Sequence, residues 1–217
     1  MAELGRALLP QMQNIRQKIF VLYGLGGIGK TQLAVEFVRR HHRKFSSVFW
    51  LDGSSEVSLK LSIARCAGRI AASQISDASR AYSMSSESNL DDVVAEVMGW
   101  LAQTDNTDWL VVFDNVDRDY SPRTGDPLAY DVRQYFSGAD HGSVLITTRL
   151  ARLEQLGSSR RVSKVDDTQA EAILKSWCTN ELGRISSQEE EYELVRANWP
   201  QIQSKSAVYL ACWMVFH

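Results

Sequence analysis

From residue 18 onward the apolar positions follow two alternating rhythms. Short, nearly continuous apolar runs occur at Lys18–Tyr23 (KIFVLY), Ser47–Leu51 (SVFWL), Trp109–Phe113 (WLVVF) and Val144–Thr147 (VLIT). Such runs, rich in β-branched and aromatic residues, read as strands buried on both faces, as in a parallel sheet. Residues Arg160 to Val165 are expected to add a fifth. Between them the apolar residues recur at helical spacing: Leu33, Ala34, Phe37 and Val38; then Leu59, Ile63, Cys66, Ala67 and Ile70; then Leu90, Val93, Val94, Val97, Met98 and Leu101. Ser54 or Ser55 is placed to cap the second helix. Asn89 opens the third, with Asp91 and Asp92 in its first turn. Strands alternating with helices predict an α/β chain with a parallel sheet covered on both sides.

The remaining stretches are less regular. Residues 1–17 carry a weak helical pattern (Leu4, Leu8, Met12, Ile15) broken by Pro10, and are expected to form a lead-in segment. Ser73 to Ser88 holds seven serines in sixteen residues, which predicts a mobile loop. Pro122, Gly125 and Pro127 precede a short helix expected around Asp131 to Phe136. From Asp167 the period turns helical again, at Ala170, Ile173, Leu174 and Trp177, then at Tyr192, Leu194 and Val195. The expected organisation is a lead-in at 1–17, one α/β domain at 18–182 and a C-terminal helical segment at 183–217.

Composition narrows the function classes. With 44% hydrophobic and 23% charged residues the chain is not of the disordered class. A net charge of −2 gives no ground for a nucleic-acid partner, and the basic cluster Arg39 to Lys44 reads as a solvated helix end. Cys66, Cys178 and Cys212 lack metal-ligand spacing and suit reduced thiols in a cytoplasmic protein. No leader and no run long enough to span a bilayer is read. The apolar Ala207 to His217 is expected to pack as a helix or to support self-association.

Chemistry enters at the end of the first strand. Gly24-Leu25-Gly26-Gly27-Ile28-Gly29-Lys30-Thr31 matches G-x-x-x-x-G-K-[ST], the phosphate-binding P-loop, in its strand-to-helix setting. Glycines let backbone N–H groups close around a phosphate, and a helix opening at Lys30 directs further donors at it. The stretch from Gly24 to Gln32 is thus the candidate nucleotide site. Lys30 is expected to reach the β- and γ-phosphate oxygens, and the Thr31 hydroxyl to ligate Mg²⁺.

Leu110 to Asp114 is an apolar strand ending in an acid, the Walker B arrangement, and Asp114 is the second expected Mg²⁺ group. Val144 to Arg149 ends another strand in a hydroxyl pair, Thr147-Thr148, and an arginine whose fork suits a γ-phosphate. Water activation is less defined. Asn115 stands where a carboxylate beside the metal acid would serve as base; it orients water but takes no proton. Asp117 and Asp52 remain as candidates. The expected chemistry is slow hydrolysis, or nucleotide-gated binding without hydrolysis.

The order of these blocks resembles the NB-ARC nucleotide-binding domain of the STAND class of P-loop ATPases. The residues that carry it are FVLYGLGGIGKTQLAVEF (Phe20 to Phe37), VFWLDGSS (Val48 to Ser55), WLVVFDNVD (Trp109 to Asp117) and HGSVLITTR (His141 to Arg149). They look most like the fungal NOD-like receptors. The resemblance implies a P-loop NTPase fold, three-layer α/β/α, with a five-stranded parallel sheet in the order 5-1-4-3-2. It further implies ATP/ADP and Mg²⁺ as ligands, Arg149 as the γ-phosphate sensor, and a role in innate immune or cell-death signalling. The family's adenine-covering segment is matched only by Gly5-Arg6. Its Gly-Leu-Pro-Leu-Ala motif is replaced by Asn198-Trp199-Pro200-Gln201-Ile202, so a short or truncated, relatively open member is expected. Ser163-Lys164-Val165-Asp166 differs at one position from the guanine-reading N-K-x-D pattern. GTP/GDP use therefore stays open beside ATP.

Overall fold

The computed structural model describes residues 1–11, 16–82, 89–118, 120, 126 and 128–163. By compactness the chain divides into two units. One comprises Met1–Gly26 with Lys30–Val162, and the other Gly27–Gly29 with Ser163–His217. The helices expected after Asp167, the Asn198–Ile202 segment, Lys164 to Asp166, Cys178 and Cys212 lie outside the described residues.

The elements of the sheet unit are α1 (Ala2–Leu8), β1 (Lys18–Tyr23), α2 (Lys30–His41), β2 (Ser47–Asp52), α3 (Glu56–Ala67), α4 (Asp77–Arg80), α5 (Leu90–Leu101), β3 (Trp109–Asp114), β4 (Ser143–Thr148) and β5 (Ser158–Arg161). All pairings are parallel and the order is β2-β3-β4-β1-β5. This is the order 5-1-4-3-2 read from the other edge, and the fold is that of a P-loop NTPase. The fifth strand begins earlier than expected and ends at Arg161, pairing Phe20 through Tyr23 of β1 with Ser158 through Arg161. Gly157, in extended backbone, lets it begin there: a β-carbon on it would stand 2.4 Å from the Ile19 carbonyl oxygen.

The continuous apolar strands pack two faces, because successive side chains point to opposite sides. Phe20, Leu22, Leu110, Val112 and Leu145 face one way, onto Leu4 and Leu8 of α1 and Ala34 and Phe37 of α2. Val21, Phe49, Leu51, Val111, Phe113, Val144 and Ile146 face the other, onto Leu59 and Ile63 of α3 and Val93 and Val97 of α5. Trp109 is buried there and donates its indole N–H to the Leu101 carbonyl at 2.8 Å. Gly142 (φ +80°) turns the chain beside it, and a β-carbon there would lie 2.2 Å from the Trp109 ring.

Several local details depart from the pattern. Residues 2–8, within the expected lead-in, form a helix with Leu4 and Leu8 buried. The helix is tied to the sheet by polar bonds: Ser143 Oγ donates to the Leu8 carbonyl (2.7 Å) and Lys18 Nζ to the Leu9 carbonyl (3.0 Å). Of the serine-rich segment, residues 73–82 are described and include α4. Ser76 caps α4, and the Glu96 carboxylate on α5 accepts from the Ser76 N–H, the Ser76 hydroxyl and the Ser79 hydroxyl. Those hydroxyls, Ser79 foremost, hold the Glu96 carboxyl below its usual range. Ser55, rather than Ser54, caps α3, accepting from the Ser58 N–H at 3.1 Å. The helix expected near Asp131 is a 3-10 turn at Val132–Tyr135. At the end of α2, Arg39 and Arg40 turn onto Glu36 and hold its carboxyl down to about 2.

Leu8→Ala is expected to cost about 2–5 kcal/mol, the range for emptying a buried leucine site. Urea unfolding that shows no loss would mean that α1 is a dispensable extension.

Candidate functional site

The carboxyl ends of β1, β3 and β4 gather the candidate residues. Gly24 follows β1 with φ +149°, and a β-carbon there would stand 2.5 Å from the Val162 carbonyl oxygen. Its N–H donates to the Thr148 carbonyl (3.2 Å), while the Val162 N–H donates to the Tyr23 carbonyl (2.8 Å). The root of the P-loop is thus fixed on both sides. Gly27 (φ +73°) and Gly29 (φ +96°) occupy the left-handed region, where an added β-carbon would meet nothing within 4 Å. Their requirement is conformational rather than steric.

Lys30 opens α2 and is 8% exposed, rare for a lysine without a function or a partner. Its ammonium donates to the Gly24 and Leu25 carbonyls, both at 2.9 Å, and so folds back along the loop. Burial lowers its pKa; the Asp117 carboxylate opposes that shift, Arg149 adds to it, and Asp114 opposes it more weakly.

Thr31 and Asp114, 83 positions apart, meet directly: the Thr31 hydroxyl donates to Asp114 Oδ1 at 2.9 Å. The same carboxylate oxygen accepts from the Thr147 hydroxyl at 2.5 Å. Thr147 is fully buried, and its Oγ1 also accepts the Asn115 N–H (3.0 Å). One hydroxyl on β4 therefore fixes the acid that ends β3 and the turn that follows it. The sequence reading gave Thr147 no role of its own; the signal was a hydroxyl ending an otherwise apolar strand. Thr148, also fully buried, donates to the Val116 carbonyl (2.5 Å) and accepts the Leu150 N–H (2.9 Å).

Asn115 is the one non-glycine residue with positive φ (+64°) among those described. Asparagine tolerates this conformation better than most side chains. The turn it makes puts Asp117 beside Arg149. Asp117 Oδ1 accepts the Arg149 backbone N–H (2.7 Å), and Oδ2 pairs with Arg149 Nε (2.9 Å). The Arg149 guanidinium lies along the P-loop: its carbon is 3.0 Å from where a β-carbon on Gly26 would stand. Asp52, the other candidate base, ends β2 opposite Asp114 in register and accepts the Ser54 N–H (3.0 Å). The Glu154 carboxylate near Tyr23, which ends β1, raises the pKa of its phenol.

Lys30, Thr31, Asp114, Asn115, Asp117 and Arg149 thus converge on one end of the sheet, with Asp52 at its margin. The oxygen groups of Thr31 and Asp114 are the hard donors that Mg²⁺ takes. No group of three or more His, Cys, Asp or Glu side chains arranged to hold a metal exists among the described residues. Any metal here would depend on this pair together with nucleotide oxygens. No helix among those described is long and apolar enough to cross a membrane.

A parallel α/β sheet with a P-loop after its first strand defines a nucleotide-binding, ATPase-type module. The family model "NB-ARC domain" matches residues 4–176, and the chain belongs to that family. No curated protein matches the chain. Among solved structures it is similar to Cdc6p from Pyrobaculum aerophilum, with 16% identity and a TM-score of 0.48, over 79% of this chain and 45% of that one. It is also similar to a signal transduction ATPase with numerous domains (STAND) protein with a tetratricopeptide repeat sensor from Pyrococcus horikoshii. There the identity is 16% and the TM-score 0.45, over 91% of this chain and 27% of that one. The chain spans less than half the length of either.

Thr147→Val removes both bonds of the bridging hydroxyl while keeping its shape. A loss of about 1.5–3 kcal/mol is expected, as for a hydrogen bond to a charged group, and Thr147→Ser should recover most of it. Equal stabilities of the three proteins in denaturant titration would show that the bridge contributes nothing.

Proposed function

We propose that the chain is a Mg²⁺-dependent nucleoside triphosphatase of the STAND type, with ATP as the favoured nucleotide and GTP as a second substrate. The observation that carries this reading is the Thr31–Asp114 bond of 2.9 Å. It joins a P-loop hydroxyl to the acid of a neighbouring strand, and these are the two groups such enzymes use around one Mg²⁺. Bound there, Mg²⁺ would neutralise charge on the β- and γ-phosphates.

The chain's own residues then have distinct tasks. The left-handed glycines and the opening of α2 direct N–H groups at phosphate oxygens. Lys30, held by two weakly basic carbonyls, exchanges them for phosphate oxygens and follows charge as it moves toward the β–γ bridge. Arg149 approaches from the Gly26 side and contacts the γ-phosphate, so that triphosphate and diphosphate differ in what they hold in place. Asn115 orients water without accepting its proton, and turnover is slow. By the resemblance to fungal NOD-like receptors, the module works in cytoplasmic immune or cell-death signalling, in partnership with further signalling domains or with copies of itself. Its working domain on this reading is residues 18–182, extended by α1 and followed by a helical segment.

A second reading, a nucleotide-gated assembly module that does not hydrolyse, is favoured by Asn115 and by the engagement of both Asp117 oxygens with Arg149.

Phosphate release by the purified chain with ATP and with GTP, with and without Mg²⁺, separates the two. Mg²⁺-dependent release that is lost in Lys30→Ala supports the enzyme. Nucleotide retained without release supports the assembly module. Restoring an acid should also tell. Asn115→Asp keeps a residue that tolerates left-handed backbone and adds a proton acceptor, and is expected to raise turnover by at least about tenfold. A rate unchanged by the substitution would show that Asn115 does not face the attacking water.

A further inference from the structure

Arg149 is exposed over 64% of its side chain. A guanidinium so placed would ordinarily sample many rotamers, and losing that freedom costs free energy when it binds a phosphate. Here it is gripped from an unusual direction. Asp117 takes the backbone N–H of Arg149 with one oxygen and Nε with the other, so a single carboxylate fixes both ends of the arginine side chain's root. The ion pair approaches through Nε, at 2.9 Å. The guanidinium lies alongside the P-loop, with its carbon 3.0 Å and both Nε and Nη2 3.2 Å from the β-carbon position of Gly26. Asp117 is itself held. Its N–H donates to the Asn115 carbonyl (2.8 Å), and the Val116 N–H donates to the Thr147 carbonyl (3.0 Å). The Thr148 hydroxyl closes the same seam from the other side.

We infer that Asp117 is a positioning residue for Arg149: its carboxylate pins the backbone N–H and Nε so that the terminal amino groups are presented along the Gly26 face of the P-loop, where a γ-phosphate is read. The inference rests on the proposed γ-phosphate contact of Arg149 and replaces the role of proton acceptor for Asp117. The two charges are also balanced about Lys30. Asp117 and Arg149 act on it in opposite directions, so the carboxylate offsets the repulsion that the arginine exerts on the P-loop lysine. Deleting Asp117 would leave Arg149 both unaimed and uncompensated.

The test is discrimination between triphosphate and diphosphate. Binding of the β,γ-imido analogue of ATP and of ADP, each with Mg²⁺, is measured by calorimetry for the full chain. The variants are Asp117→Asn, Arg149→Ala, Arg149→Lys and the Asp117→Asn/Arg149→Ala double variant, with unfolding of each followed in parallel. Asp117→Asn keeps an acceptor for the Arg149 N–H but loses the charge that grips Nε. It is expected to lower the triphosphate-to-diphosphate affinity ratio by roughly tenfold, close to the effect of Arg149→Ala, as a charged hydrogen bond is lost in each. The double variant should lose no more than either single, because both remove one interaction. Arg149→Lys, which keeps the charge without an Nε–H, should lose the ratio too.

A wild-type ratio in Asp117→Asn while Arg149→Ala loses it would overturn the inference and leave the Arg149 reading intact. So would equal weakening of both nucleotides, which is the mark of a merely structural role. Multiplying losses in the double variant, or a wild-type ratio in Arg149→Lys, would also overturn it. An unchanged ratio in Arg149→Ala would remove the γ-phosphate contact itself, and the inference with it.

Discussion

The arrangement depends on one carboxylate oxygen shared by two hydroxyls. Asp114 Oδ1 accepts from Thr31 and from Thr147, which come from the first turn of α2 and from the end of β4. In the sheet order β4 lies between β3 and β1. Neighbouring strands are about 4.8 Å apart, so the acid and the P-loop are separated by two such steps, about 10 Å. A short side chain on the intervening strand must fill that gap without blocking it. Threonine does so with one hydroxyl that both donates to the acid and accepts from the turn behind it. A larger apolar residue would separate Thr31 from Asp114; a smaller one would leave the carboxylate free to turn away.

That geometry is held from both faces of the sheet. Each interior strand contributes alternate side chains to the α1–α2 side and to the α3–α5 side. A shift of register by one residue would exchange the two sets and drive Trp109 out of its site against Gly142 and Leu101. The aligned register then sets the ends: Asp52 beside Asp114, Tyr23 beside Thr148. Apolar burial fixes which residues end the strands, and hydroxyl groups fix how those residues are aimed.

This division explains how far the sequence could be read. Strand and helix identity, the P-loop and the order of the sheet were legible because apolar periodicity and glycine spacing are local signals. The P-loop at Gly24 to Thr31 carries its own geometry, and the resemblance supplied the strand order that periodicity alone does not contain. The contacts that aim the site were not legible. Nothing near Thr147 in sequence announces that its hydroxyl will meet a carboxylate 33 positions earlier, and Asp117 read as a spare acid because its partner is distant along the chain. The same holds for Glu96, which orders part of a serine-rich stretch that composition alone marks as loop. Helix α1 was under-read because seven residues before a proline give too few turns for a periodic signal, although two of them are buried.

The charged groups at the candidate site, Lys30, Asp114, Asp117 and Arg149, are all engaged by neighbours. Among the described residues, two of the three donors on Lys30 rest on loop carbonyls, neutral partners that a phosphate displaces at little cost. Asp114 is committed to two hydroxyls, and Asp117 to an arginine. Asn115 takes the remaining position, and its left-handed backbone suits an amide as well as an acid. Among the described residues, Asp52, Asp114 and Asp117 each already accept a hydrogen bond. On the proposed reading, a P-loop module built this way would turn over slowly. On the same reading its state would follow which nucleotide is bound, with the γ-phosphate acting through Arg149 on the end of β4.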